Sequence, residues 1–302
     1  MKSKKKTDKK RSPQSISNII NLSSVSATNF QGLSFDIYFS IMYLKRKYNN
    51  FLLPVYNINP NKELMWQIVI SWKLNNNKKF VMELPCHKQY FLQRIKKGLK
   101  KDRYKFIIIP IFLGSKNVKK KNVGHFNILI INKIQKTVER FDPYGYDTNY
   151  SYYKPFDKEF MKLFQKKNPE YTFMKMNKFL PKYAFQSLDE EEVNNSIASN
   201  RNTDPGGFCG AWIMWYTEIC LKYPNMEHER LANRAIKIIK KKKNKKFRNF
   251  IRNYSEMLIK EREKILTSIS SKCKDKRYLS ICFEKYLNNI MSKKLSKKLV
   301  KV

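Results

Sequence analysis

Glycine is scarce in this chain. There are 8 in 302 residues, and three of them, Gly206, Gly207 and Gly210, surround Cys209 in the stretch 204–212, DPGGFCGAW. Glycine permits backbone angles and close approaches that other residues resist, so the clustering predicts that something comes near the backbone at Cys209. Cysteine is sparse as well. The five residues Cys86, Cys209, Cys220, Cys273 and Cys282 are odd in number and scattered, with neither a disulfide framework nor a paired metal spacing. Reduced thiols are therefore expected, which leaves one free to be a nucleophile. With only His87, His125 and His228, the possible thiol–imidazole pairings are few. No apolar run approaches the ~18 residues of a membrane span. The start, MKSKKKTDKKRSPQS, has no apolar segment after its charges and does not read as a secretory signal. A soluble intracellular protein without a membrane span is expected.

Acidic residues are the other shortage: 24 stand against 63 lysines and arginines, a formal net charge of +39. That excess implies attraction to polyanions, DNA or RNA among them. It is matched by an alternative, since Lys, Asn, Ile, Phe and Tyr are abundant together, as an A/T-biased gene would make them. The apolar fraction of 42% and aromatic fraction of 14% exclude a chain disordered throughout and suffice for a sizeable core.

Three regions are expected: a basic disordered arm over 1–17, a globular domain over 18–223, and a basic helical extension over 224–302. Within the domain, 35–48 (FDIYFSIMYLKRKY) has the spacing of a short amphipathic helix. The segment 64–72 (LMWQIVISW) leans towards helix, because its polar residues do not alternate. Strands are expected in KFVMELP, in YKFIIIPIFLG over 104–114, in GHFNILIIN over 124–132 and in TVERFDPYG over 137–145. SKNVKKKNV is the expected hairpin tip and KIQK a tight turn, and Pro110 implies an edge or bulge in its strand. The run 128–131 reads as a central strand. GAWIMWYTEICLKY reads as a buried helix beginning near Cys209. Beyond Pro224 the chain is amphipathic and basic, without Gly or Pro until its lysine-rich end. No internal repeat is visible.

A cysteine that opens a helix is well placed as a nucleophile, because the free N–H groups and helix dipole favour a thiolate. Its own N–H can help hold an oxyanion. Against this, a helical cysteine is more often just a small buried hydrophobe. His125 shifts the balance. It starts one predicted strand, and Asp142 ends the next, across a short turn. A carboxylate on one ring nitrogen orients the imidazole and leaves the other nitrogen for a thiol. Singly, His125 reads as a satisfied strand-end histidine; with the acid and the helix-start cysteine, a triad is preferred. Cys86 and His87 are adjacent, with no second ligand pair, so no metal is expected. His228, in NMEHER, is expected to be solvated, and 190–192 is expected to be an acidic surface cluster.

GHFNILIIN, ERFDPYGY and DPGGFCGAWIMWY together resemble the clan of cysteine peptidases that holds the adenovirus and SUMO-specific proteases. They also resemble large DNA virus polyprotein proteases such as that of African swine fever virus. The resemblance covers about half the chain, roughly 80–223, and is specific only around His125 and Cys209. It implies an α+β, papain-like peptidase core, with a central mixed or antiparallel sheet packed on the cysteine-bearing helix. It implies Cys209 as nucleophile, His125 as general base, Asp142 as the orienting acid, and a glutamine in the oxyanion hole before the cysteine. The nearest positions hold Asn202 and Thr203, whereas Gln186 lies upstream of a polar insertion. Gln186 is favoured if the insertion loops out and returns, with Asn202 as the alternative. Gly206 and Gly207 would line the substrate groove. Phe126 stands where the clan often has tryptophan.

The resemblance further implies an endopeptidase, without cofactor, that cuts beside small residues such as Gly-Gly or Gly-X. The substrate would be a viral precursor polyprotein, with the enzyme in host cytoplasm and virion, or a ubiquitin-like modifier and its conjugates. A basic nucleic-acid-binding virion or chromatin protein on a degenerate protease fold is the alternative from another class. Acyl transfer from coenzyme A is a third, though no feature suggests a coenzyme A site.

Overall fold

The computed structural model of the chain describes residues 30, 32, 34–54, 68–75, 77, 79–114, 124–146, 154–195, 204–205, 207–241 and 246–269, with backbone alone at 34, 35 and 266–269. The expected arm 1–17, the hairpin tip 115–123, Asn202, Gly206 and the tail 270–302 lie outside the described residues.

The long apolar runs build the middle of a seven-stranded mixed sheet. Its strands are β1 (Phe51–Leu52), β2 (Ile70–Leu74), β3 (Phe80–Glu83), β4 (Phe106–Gly114), β5 (Gly124–Asn132), β6 (Thr137–Phe141) and β7 (Thr172–Met174). Their order is β3-β2-β4-β5-β6-β7, with β1 alongside β4. β4 and β5 are antiparallel in unbroken register from Phe106↔Asn132 to Gly114↔Gly124. The tight turn 133–136 then returns the chain into β6. β4 is central, not an edge strand, and has no bulge against β5. Pro110 falls where β4's other flank has passed β1 (pairs at 106–107) and not yet met β2 (pairs at 111–113). A residue without an N–H fits that interval.

Helices cover both faces. Ile107, Ile109, Ile111, Leu113, Leu129 and Ile131 join one cluster with α2 (Lys88–Leu99) and α3 (Lys154–Gln165). Phe106, Ile108, Phe126, Ile128 and Ile130 join the other. That second layer holds α1 (Ser34–Lys47), α4 (Phe185–Asn194), α5 (Cys209–Lys222), α6 (His228–Lys241) and α7 (Phe247–Ile269). A strand buried on both faces has no polar alternation. That is why Ile70–Leu74 is a strand and not the helix its pattern suggested.

α5 is the axis of the second layer. Every residue from Gly210 to Leu221 is buried, as expected of a helix apolar all round. Full burial of an aromatic side chain stabilises by roughly 4–6 kcal/mol as an upper bound, and α5 contributes Trp212, Trp215 and Tyr216. Glu218 on the same helix accepts from Tyr43, Lys47, Tyr48 and Tyr254 at 2.7–3.3 Å, tying α5 to α1 and α7. Gly210 explains one of the clustered glycines. A Cβ there would lie 3.0 Å from Ile37 Cδ1, so the residue lets α5 press against α1. Its smallness serves packing.

The boundary expected at 224 is not a break in the packing. Leu231, Ala235 and Ile239 of α6 and Phe250, Ile251, Tyr254 and Leu258 of α7 are buried in the same cluster as α5. The apolar stripes that made these helices amphipathic are core faces, so residues 228–265 complete the domain instead of extending it. His228 is likewise buried, not solvated, with Nδ1 against Glu139 Oε1 of β6 and both side chains fully enclosed. Burial pushes its imidazole down to about 4. Among the described residues no helix is long and apolar enough to cross a membrane.

Candidate active site

The ends of β5 and β6 carry polar residues at alternate positions on one face. Ile128↔Phe141 and Leu129↔Arg140 are paired, and continuing that register sets Asp142 opposite Asn127, one step inside His125. His125 Nε2 and Asp142 Oδ1 are 2.8 Å apart, with side-chain exposures of 8% and 0%. The second carboxylate oxygen lies 3.6 Å from Arg140 Nη1. Arg140 in turn donates to Asn127 and, through Nε and Nη2, to Asp157 at 2.7 and 3.0 Å. The backbone N–H of Tyr144 donates to Asp142 Oδ1 at 3.0 Å. Burial alone would raise the Asp142 carboxyl. The charge and hydrogen bond of His125, then Arg140 and the Tyr144 N–H, hold it below its ordinary value instead.

Cys209 is the first residue of α5 and is half-buried. The first N–H groups of a helix have no acceptor within it, and here no side chain caps them. His125 lies within hydrogen-bonding reach of the Cys209 side chain. Since Nε2 is taken by Asp142, Nδ1 is the ring nitrogen left for the thiol. Burial pushes the imidazole down, but Asp142's charge and hydrogen bond, joined by Cys209's, raise it to about 10. The structure thus brings together His125, Asp142 and Cys209 from two strands and a helix start.

Gln186 sits in the first turn of α4, 2% exposed. A Cβ on Gly207 would lie 3.0 Å from its Nε2, so the chain does return to Gln186 just before Cys209. Nε2 donates to Tyr144 Oη at 3.0 Å and to Glu190 Oε1 at 3.1 Å, while Tyr144 Oη donates to Glu190 at 2.7 Å. Tyr144 also lies against His125, ring centroids 4.9 Å apart. Phe185, beside Gln186, packs on Phe141, Trp212 and Trp215 at 5.0–5.9 Å. Phe141 stacks on Tyr216 at 3.8 Å, which locks β6 to α5 immediately before Asp142.

The 142–146 turn is fastened to the start of α4. Ala184 N and Ser187 Oγ donate to Tyr144 O, and Gln186 N donates to Pro143 O, at 2.7–2.9 Å. Gly145 has φ +108°, and a Cβ there would lie 2.4 Å from Lys182 O. Only glycine fits that close approach. The acidic residues expected on a surface insertion belong to α4. Glu190 holds Gln186 and Tyr144, and Asp189 is buried beside Arg248 of α7. Burial pushes Asp189 up to about 7 against the pull of Arg248.

Sequence reasoning missed Arg140, Tyr144, Glu190 and the acid pairs of α7. Arg140 had a signal, since it shares strand parity with Asp142. Arg248 had none, because its acids stand far away in the chain.

No family model matches the chain. A putative ankyrin repeat protein of Acanthamoeba polyphaga mimivirus is 28% identical over 305 residues, taking in 93% of this chain and 36% of that protein. The chain therefore spans little more than a third of that relative. Among solved structures it is similar to the Chlamydia trachomatis effector protein ChlaDUB1, at 13% identity over 82% of this chain and 87% of that one, TM-score 0.38. It is similar to the C. trachomatis effector protein Cdu1 bound to ubiquitin, at 14% identity over 80% and 94%, TM-score 0.37. It is also similar to the SUMO protease Ulp1, at 11% identity over 76% and 78%, TM-score 0.34. Likenesses this loose carry no chemistry across, and function is read from the side chains of this chain.

Proposed function

We propose that the chain is a cysteine peptidase that uses Cys209 as nucleophile, His125 as acid–base and Asp142 as the acid that orients and charges the imidazole. The carrying observation is one imidazole set between a buried, Arg140-backed carboxylate and a cysteine that opens a helix. His125 takes the thiol proton, and the sulfur attacks a peptide carbonyl carbon. The resulting oxyanion collapses as the amine leaves with the proton from His125. Water, deprotonated by the same imidazole, then cleaves the thioester and frees Cys209.

The N–H of Cys209 and the Gln186 amide are proposed to hold the oxyanion. Both protons of Gln186 Nε2 are already engaged, by Tyr144 and Glu190, so the oxyanion must take one from them. The transition state thus gains a bond that the resting site spends internally. The proposed substrate is a protein with a small residue, glycine above all, beside the scissile bond: a precursor polyprotein or a ubiquitin-like conjugate. Gly206 and Gly207 would lie along the groove.

Labelling with a Gly-Gly-derived vinyl or aldehyde thiol probe, with mass mapping, tests this on the wild type and on His125→Ala. Selective modification of Cys209 that vanishes in His125→Ala is expected. Equal labelling of all five cysteines, indifferent to His125, would refute the peptidase.

A further inference from the structure

We infer that Arg248 and Arg252, in the first turns of α7, are positioning residues that hold the nucleophile loop and the Gln186 helix in register with each other. The inference rests on the peptidase reading and gives the C-terminal helix a part in it.

The geometry is as follows. Arg252 grips Asp204 with two parallel contacts, Nε to Oδ1 at 2.9 Å and Nη2 to Oδ2 at 2.5 Å. Asp204 begins the loop that ends at Cys209. Arg248 reaches the same carboxylate through Nη1 at 3.4 Å, pairs through Nε with Asp189, and lies over the Phe208 ring at 5.1 Å. Phe208, fully buried, directly precedes Cys209. Asp189 stands one turn after Gln186 on α4. The backbone N–H of Arg248 donates to Glu192 of α4 at 3.1 Å. One turn of α7 therefore touches both sides of the candidate oxyanion site.

Adhesion does not explain these charges. α7 is already docked by Phe247, Phe250, Ile251, Tyr254 and Leu258. The side chains of Arg248, Arg252, Asp189 and Asp204 are only 1–6% exposed. Ion pairs that deeply buried return little net stability, because desolvation offsets their attraction. What they add is direction. A planar guanidinium on a carboxylate fixes angle and distance where an apolar contact can slide. Near a nucleophile that matters, since a misplacement of ~1 Å can cost ~100-fold in rate.

The test uses the full chain with Arg252→Gln, Arg252→Lys and Asp204→Asn, and with Leu258→Ala as a control on the same helix. The readout is the rate of Cys209 modification by the Gly-Gly probe, beside thermal melting. Arg252→Gln and Asp204→Asn are expected to label at least about tenfold more slowly while fully folded. Their double variant should be no slower than either single, since both break one contact. Leu258→Ala should melt lower yet label at the wild-type rate below its transition. Arg252→Lys keeps the charge without the fork, and it should fold and still label slowly. Wild-type labelling by a folded Arg252→Lys, or a slowing by Leu258→Ala equal to that of the clamp variants, overturns the inference alone. A wild type without His125-dependent labelling overturns the peptidase and the clamp together.

Discussion

Asp142→Asn removes a charge and keeps a shape, which makes its consequence calculable. In the intact site the imidazole of His125 is raised from its ordinary 6.5 to about 10, with burial working against Asp142 and Cys209. That difference corresponds to ~5 kcal/mol of preference for the imidazolium. Without the carboxylate charge, burial acts against Cys209 alone, and the imidazole should titrate near or below its ordinary value. At pH 8 a group titrating near 10 is ~99% protonated and one at 6.5 only ~3%, a ~30-fold loss of the cation beside the thiol. NMR titration of the imidazole carbons reads this directly, because the chain has only three histidines. Wild-type His125 should stay charged past pH 9, and Asp142→Asn should be neutral at pH 8, with Cys209 labelling by the Gly-Gly probe down by about the same ~30-fold. A wild-type His125 that titrates near 6.5, or a variant that titrates like the wild type, would refute the reasoning.

The same pair gives stability a pH window. His125, raised on folding, contributes stability that is complete below its unfolded value and is lost as pH rises through about 10. Asp142, lowered on folding, contributes stability that is complete above the ordinary carboxylate range and is lost as pH falls through its depressed value. Between those limits the pair supports the fold, and Asp142→Asn forgoes that support throughout.

Two further substitutions test the setting. Gly145→Ala should lose ~1–3 kcal/mol or more in urea unfolding, because φ is +108° and the new Cβ meets Lys182 O at 2.4 Å; an unchanged midpoint would deny the turn its role. Gln186→Ala should lower kcat ~100- to 1,000-fold with KM little changed, as loss of one oxyanion donor does; unchanged turnover would remove Gln186 from the oxyanion site.

The parts of the fold legible in the sequence were those whose signal is local. The unbroken apolar run of β5, the tight turn after it and the aromatic spacing of α5 each appear in one short window. Ile70–Leu74 was illegible because burial on both faces erases the alternation that marks a strand. His228 looked solvated among charged neighbours, since its partner Glu139 and the rings of Phe106 and Tyr216 come from distant segments. In the site, His125, Asp142 and Cys209 could be paired on paper because two adjacent strands and a helix start leave few alternatives. Tyr144 and Glu190 could not, for their contact with Gln186 depends on how the 142–146 turn docks on α4. The glycine cluster misled in part: Gly210 yields to Ile37, a packing need that has nothing to do with substrate.

The large positive charge is divided by residue type. Among the described residues Arg140, Arg248 and Arg252 are buried, whereas no lysine is. Each of these arginines joins segments far apart in the chain, β6 to α3 and α7 to both α4 and the nucleophile loop. Arg262 does the same between α7 and Asp36 of α1, at 2.8 Å. Guanidinium suits that use, being weakly hydrated and able to engage a carboxylate with two parallel bonds, while an ammonium resists leaving water. The few acids of this chain are correspondingly concentrated: Asp142, Asp189, Asp204 and Glu218 are all committed to interior partners. A composition drifting toward lysine would be tolerated wherever the side chain can stay wet, and nowhere in that interior set. The arginines and their acids are thus the charged positions that the architecture of the site requires. The lysine excess, at the described positions, lies where the fold leaves it free to meet a polyanion.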